Sequence, residues 1–228
     1  MKMYGATDIG LVRATNQDNF YIDKSCKWAV VADGMGGHNG GETASSMAVE
    51  EIKKSMAQGV GLKESISNAN TLVYRASVEN PDLSGMGTTV VLCEIMGGRA
   101  NIAHVGDSRA YIYRDGKLKQ ITKDHSIVQQ LIDSGTINEE QARYHPQRNL
   151  ITRAVGTEKN ILVDYETVEF SDGDYILICS DGLSSYVFEN EITDILANTR
   201  TADVTGKLIE AANNSGGKDN VTVVLIKA

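Results

Sequence analysis

Cysteine is scarce in this sequence. Cys26, Cys93 and Cys179 are odd in number, far apart and set in or beside apolar runs, which excludes a disulfide frame or a zinc knuckle and leaves reduced packing residues. No run of about 18 apolar residues occurs, so no membrane-spanning helix is expected. The start Met1-Lys2-Met3-Tyr4-Gly5 lacks the apolar segment of a signal peptide, so a cytoplasmic location is expected. Basic charge is also short, with 22 Lys and Arg against 30 Asp and Glu and a net charge of -8. Without a Lys/Arg stripe a nucleic acid is excluded as a partner. A single phosphate group remains possible, because divalent cations and one arginine can reverse the field of an acidic protein locally. Linkers, repeats and low-complexity tracts are missing too. With 228 residues and 41% hydrophobic content, residues 1–228 are expected to form one domain around a sizeable core.

What is present is organised around Trp28-Ala29-Val30-Val31-Ala32-Asp33-Gly34-Met35-Gly36-Gly37-His38. An apolar run reading as a buried strand ends in a carboxylate followed by glycines, which lets the backbone approach a ligand closely. Asp-Gly is also a common turn dipeptide, and Asp115-Gly116 and Asp172-Gly173 read as turns only. The Asp33 pattern recurs, however, in Tyr175-Ile176-Leu177-Ile178-Cys179-Ser180-Asp181-Gly182, and Asp219 just precedes the apolar run from Val221 to Ile226. Three aspartates at strand ends would repel one another if they met, unless a cation neutralised them. Asp33, the Gly34 carbonyl, Asp181 and Asp219 offer only oxygen, a donor set for Mg²⁺ or Mn²⁺ rather than zinc or copper. Asp124-His125 adds a carboxylate near the same edge, and Asp18 is expected to hold water on the metals.

Along the chain, Tyr4 to Gly10 and Asn19 to Asp23 read as strands. Apolar residues at three- and four-residue steps predict helices over Glu42 to Met56 and Leu62 to Ala76, separated by Gly59-Val60-Gly61. Hairpin strands follow at Thr88 to Ile95, Arg99 to Val105, Ala110 to Tyr113 and Lys117 to Ile121, with turn residues suited to two-residue loops. From Ser126 to Asn160 the pattern changes to an insert containing a short helix over Ser126 to Asp133 and a second starting at Asn138, with Gln141 completing a capping box. Strands resume at Ile161 to Phe170 and Tyr175 to Cys179, helices at Glu189 to Ala197 and Ala202 to Asn213, and a strand ends the chain. About a dozen strands exceed a comfortable open sheet. The expected fold is therefore α+β, a four-layer α-β-β-α sandwich of two antiparallel sheets flanked by helix pairs.

Arg13-x-x-Asn16-Gln17-Asp18, Asp33-Gly34-Met35-Gly36-Gly37-His38, Gly87-Thr88-Thr89, His104-Val105-Gly106-Asp107-Ser108-Arg109, Asp124-His125, Ser180-Asp181-Gly182 and Asp219-Asn220 together resemble, in order, the motif series of the metal-dependent serine/threonine protein phosphatases. This is the PPM or type 2C family, here in its short bacterial form, and the resemblance runs from Thr7 to Val224. It implies a two-metal site at one end of the sandwich, with Asp33 bridging both ions, the Gly34 carbonyl on one, and Asp181 with Asp219 completing the other. It also implies a third ion on Asp124 with Asp181, and a flap beside the site over residues 126–160. Asp107, Ser108 and Arg109 are expected to brace strands.

The implied reaction is hydrolysis of phosphoserine and phosphothreonine on proteins by metal-activated water, without a covalent phosphoenzyme. Arg13 offers a planar fork for two phosphate oxygens. Gln17 stands where many members have Glu, and Met35 where the animal forms have His. His38 is the nearest imidazole and is expected to protonate the leaving oxygen. The expected partners are phosphoprotein substrates and a bacterial serine/threonine kinase that the enzyme opposes, and a monomer is expected. A non-enzymatic relative that binds phosphopeptides, or a hydrolase of small phosphoesters, are the alternatives; the full set Asp33, Asp181 and Asp219 weighs against the first.

Overall fold

Two antiparallel sheets stacked face to face account for the uninterrupted apolar runs of the sequence. The computed structural model describes residues 1–37 and 40–228. In chain order its strands and helices are β1 (Lys2–Asp8), β2 (Asp18–Ile22), β3 (Trp28–Met35), α1 (Gly40–Ala57), α2 (Leu62–Glu79), β4 (Gly87–Thr88), β5 (Val90–Met96), β6 (Arg99–Val105), β7 (Arg109–Arg114) and β8 (Lys117–Gln120). They continue with α3 (Ile127–Asp133), α4 (Glu139–Arg143), β9 (Asp164–Glu169), β10 (Tyr175–Cys179), α5 (Asp181–Ser184), α6 (Glu189–Asn198), α7 (Val204–Asn214) and β11 (Val221–Lys227). One sheet has the order β1-β11-β10-β7-β8, the other β2-β3-β5-β6-β9 with β4 paired to β3.

Each central strand is buried on both faces, so its residues read as a continuous apolar run instead of alternating with polar ones. In β3, Trp28, Val30 and Ala32 pack under α1 and α2, whereas Ala29 and Val31 face the other sheet. In β11, Val221, Val223 and Leu225 pack under α5 to α7, whereas Val224 and Ile226 point between the sheets. Three apolar layers therefore hold four layers of structure together, and the expected α-β-β-α sandwich is borne out. The hairpin turns follow residue chemistry: Gly97 (φ 58) with Gly98 (φ 72), and Asp115 (φ 50) with Gly116 (φ 74), supply the paired positive φ angles that a two-residue turn needs.

Three local differences from expectation have physical causes. The strand read as Thr88 to Ile95 is broken at Thr89, whose N–H donates to the Asp33 carbonyl (2.8 Å) while its hydroxyl accepts from the Asp33 N–H (3.0 Å). The four-residue helix α5 has no room for a helical period, so sequence pattern does not show it. The first strand is Lys2–Asp8 rather than Tyr4 to Gly10, because Gly10 adopts a left-handed φ of 79 and leaves the ladder. The insert at residues 126–160 contains α3, α4 with the Asn138–Gln141 capping box, and isolated bridges Ser126–Ile151 and Thr88–Val155.

Candidate metal centre

The strand register brings the carboxylates together. Asp18 on β2 pairs with Asp33 on β3. On the other sheet β10 ends at Cys179 and β11 begins at Val221, and the Ser180 N–H donates to the Thr222 carbonyl (3.0 Å) while the Thr222 N–H donates to the Ser180 hydroxyl (2.9 Å). This lock sets Asp181, the first residue of α5, beside Asp219. A cleft of about 260 Å³ is lined by Arg13, Asp33, Gly34, Asp107, Asp181 and Asp219. Asp18 lies beneath it, buried, with Oδ2 accepting from the Ser180 hydroxyl (2.7 Å) and Oδ1 without a partner among the described residues.

Burial and mutual repulsion dominate the electrostatics. Burial, then Asp18 and Asp181, push the Asp33 carboxyl well above the usual carboxylate range. Burial pushes Asp18 up to about 7, against the stabilising Ser180 bond. Asp181 rises to about 6, through burial and then Asp219. Asp107 is raised by burial and then by Asp181 and Asp124, with Arg109 opposing. Like charges about 4 Å apart repel by about 4 kcal/mol at an effective dielectric of about 20. Against this, the directly bonded cation at the cleft is Arg13, whose Nη2 donates to Asp219 Oδ2 at 2.7 Å. An all-oxygen, charge-crowded set with an unsatisfied buried oxygen is what a hard divalent cation would satisfy.

The expected residues divide as follows. Arg13, Asp33, Gly34, Asp181 and Asp219 share one cleft, with Asp18 directly behind. His38 lies outside the described residues. Asp124 lines an adjoining cavity with Asp107 and Asp181, and its carboxylate is bonded there: Arg109 Nε donates to Oδ1 and Oδ2 (3.0 Å each), Arg109 Nη2 to Oδ2 (2.7 Å) and Gln120 to Oδ1 (2.9 Å). The acidic residue that joins Asp33, Asp181 and Asp219 in the central cleft is Asp107, which was expected only to brace strands. It follows Gly106 (φ 105), whose N–H donates to His125 Nδ1 (3.0 Å), so the turn aims Asp107 at the cleft. His125, His104 and Asp164 form a second potential ligand cluster, but Arg153 Nη1 already sits on Asp164 (2.7 Å) and beside His125 Nε2 (3.0 Å), supplying the positive charge there.

Asn220 is the positioning residue that sequence reasoning named without a role. Its side chain accepts from the Gln17 N–H (2.8 Å) and donates to the Ile9 (2.9 Å) and Thr15 (3.0 Å) carbonyls, so one residue ties the Arg13 loop to the Asp219 turn. Gly182 lies so close that a Cβ there would collide with the Asn220 carbonyl. Gly182→Ala is therefore expected to shift Asn220 and Asp219, to destabilise the protein by about 1–3 kcal/mol, and to lower turnover more than its melting point indicates. Wild-type turnover with an unchanged melting curve would contradict this.

The profile of the family described as protein phosphatase 2C matches residues 12–224. The chain is 39% identical to the serine/threonine phosphatase stp of Listeria monocytogenes serotype 4b over 238 residues, covering 97% of this chain and 93% of that protein. It is 40% identical to the serine/threonine protein phosphatase PstP of Mycobacterium tuberculosis, covering 96% of this chain and 43% of that protein. The crystal structure of Mycobacterium tuberculosis PstP superposes with a TM-score of 0.91 at 38% identity, over 100% of this chain and 99% of that one. The catalytic domain of PstP in complex with two manganese ions superposes with a TM-score of 0.89 at 37% identity, over 98% and 96%.

Proposed function

Because the chain belongs to the protein phosphatase 2C family and is a serine/threonine protein phosphatase, we propose that it hydrolyses phosphoserine and phosphothreonine on proteins by direct attack of water. Asp33, Asp181, Asp219 and the Gly34 carbonyl would hold two divalent cations, Mn²⁺ or Mg²⁺, and Asp107 with Asp181 a third. Such cations acidify water and neutralise phosphate charge in an in-line displacement. The observation that carries this reading is the convergence of Asp33, Asp107, Asp181, Asp219 and Arg13 on one cleft.

The chain's own residues then have distinct tasks. Arg13 spends one donor on Asp219, which fixes its fork at the cleft and leaves further N–H groups for phosphate oxygens. Asp18 offers Oδ1 as an acceptor that orients a water in the site. Water, not a side chain, is the nucleophile: Thr89 is the one hydroxyl among the described cleft-lining residues, and it is engaged with Ser108 (2.7 Å) and the Asp33 N–H. The thiols of Cys93 and Cys179 are buried, with burial holding Cys179 up at about 12 and Cys93 higher still. His38 is assigned the proton for the leaving oxygen, on sequence grounds.

No described helix is long and apolar enough to cross a membrane. The proposed setting is the cytoplasm, opposite a serine/threonine kinase. The test is Mn²⁺-dependent phosphate release from phosphothreonine and phosphoserine peptides, set against phosphotyrosine peptides and nucleotides. Preference for the first two is expected; equal or greater rates on nucleotides would sink the reading. In the same assay His38→Ala should cost about 10²-fold on phosphopeptides and much less on nitrophenyl phosphate, whose leaving group needs no proton. Equal losses would remove His38 from that role.

A further inference from the structure

Most arginines of this acidic protein are spoken for. Arg13, Arg75, Arg109, Arg114, Arg153 and Arg200 are each ion-paired with a carboxylate. Arg143 and Arg148 have no such pair among the described residues, although both stand on the insert at residues 126–160 beside the most acidic part of the molecule. Arg143 ends α4 and lies over the Phe188 ring at 4.3 Å. Arg148 is exposed and lies close enough to Tyr186 to act on its hydroxyl, which also feels Asp181 and Asp219. The Phe188 ring thus places the Arg143 guanidinium without neutralising it.

Their position matters because both line a cavity that adjoins the central cleft. A cavity of about 70 Å³ is lined by Asp107, Asp181, Arg143, Arg148 and the Arg109–Asp124 ion pair, among others. It shares Asp107 and Asp181 with the central cleft. It shares Arg143 with an outer groove of about 580 Å³ whose wall includes Val128, Ile132 and Phe188. The cleft, this cavity and the groove therefore adjoin one another, and the two arginines stand beside the cleft where a flanking residue of a bound segment would lie.

We propose that Arg143 and Arg148 recognise an anionic group, a carboxylate or a second phosphate, on a residue flanking the phosphoresidue, so that the enzyme selects acidic or multiply phosphorylated segments. The inference rests on the phosphatase reading above and specifies its substrate class. Arg109 cannot take this part, since Asp124 holds its fork. Arg13 serves the opposite rim, fixed to Asp219.

The experiment compares kcat/KM on matched phosphothreonine peptides whose flanking residues are alanine, glutamate, lysine or a non-hydrolysable phosphonate analogue of phosphoserine. The enzymes are the wild type, Arg143→Gln, Arg148→Gln, the double variant and Arg148→Glu. Each ratio is internal to one enzyme, so a loss of metal or of folded protein cancels. Wild type is expected to favour glutamate over alanine flanks by roughly tenfold, mostly in KM, as two partly exposed charge pairs would give. The preference should shrink in 0.5 M salt, where the screening length falls to about 4 Å. In the double variant the ratio should fall to about one, and Arg148→Glu should favour lysine flanks. A preference confined to the phosphonate peptide would identify a second phosphate as the anion; one shared with glutamate would identify charge alone. No preference in the wild type, or one that survives in the double variant, overturns the proposal. Failure of the wild type to release phosphate from any of these peptides would overturn the phosphatase reading instead.

Discussion

Asp33→Asn is expected to lose about 10³-fold or more in kcat on phosphothreonine peptides, yet to melt at a higher temperature than the parent when both are in chelator at pH 8. Asparagine keeps the shape of Asp33 but removes the charge that Asp18, Asp181, Asp107 and Asp219 all oppose. Relief of that repulsion should raise the metal-free melting point by several degrees, since about 1 kcal/mol corresponds to about 2–4 °C in a chain of this size. Activity is expected to fall because a neutral amide would hold divalent cations more weakly than a carboxylate, and loss of a preorganised electrostatic element commonly costs about 10²–10³ or more. A site that trades stability for function in this way is the usual bargain of an active centre. Wild-type turnover, or a lower metal-free melting point, would argue against Asp33 as the shared ligand.

Chelation of the wild-type enzyme should abolish turnover, with excess Mn²⁺ restoring it, and should expose a pH dependence of stability that the metal-loaded enzyme lacks. Asp18 is held at about 7 and Asp181 at about 6, both above the 3.8 of an ordinary aspartate. Asp33 and Asp107 are shifted in the same direction. The folded, metal-free protein therefore keeps protons that the unfolded chain has released, and its stability falls as pH rises. The contribution is complete below about pH 4 and is lost through pH 6 to 7. His125, lowered by burial, acts in the opposite sense on the acid side. Melting curves in chelator should thus drop between pH 5 and pH 8. With saturating Mn²⁺ they should not, because cations bound to the ionised carboxylates stabilise the folded state by mass action. Full activity in chelator, or a metal-free melting point that climbs with pH, would refute the assignment of this cleft as a metal centre.

Much of this architecture is legible without coordinates, because it is written in local patterns. Apolar runs of strand length, two amphipathic stretches before residue 80 and two after 188, and Asp-Gly or Gly-Gly turns are enough for a sandwich with helices outside. Asp33, Asp181 and Asp219 stand out as carboxylates at the ends of apolar runs, where a side chain meets solvent at a sheet edge. Seven motifs in order make the family legible as well, although each is weak alone.

Other features are not local. Asp107 and Asp124 are both acidic residues beside strand ends, and nothing in their neighbours separates them. Their surroundings are set by the Gly106 turn, which aims Asp107 into the cleft, and by Arg109, whose fork pairs with Asp124 in the adjoining cavity. The break at Thr89 exists because Asp33, 56 residues away, supplies its hydrogen bonds. Gly182 must be glycine because the Asn220 carbonyl passes where its Cβ would stand. Arg143 and Arg148 read as ordinary surface charges until ion pairing elsewhere shows that they alone, beside the acidic cleft, lack carboxylate partners among the described residues. Residue order by itself thus determined the layers, the oxygen-rich chemistry and the family of this protein, since those depend on periodicity and on residue type. Only the tertiary structure decided which carboxylates share the cleft and which cations remain free, since long-range pairing spends the charge of each side chain on one neighbour and withholds it from the rest.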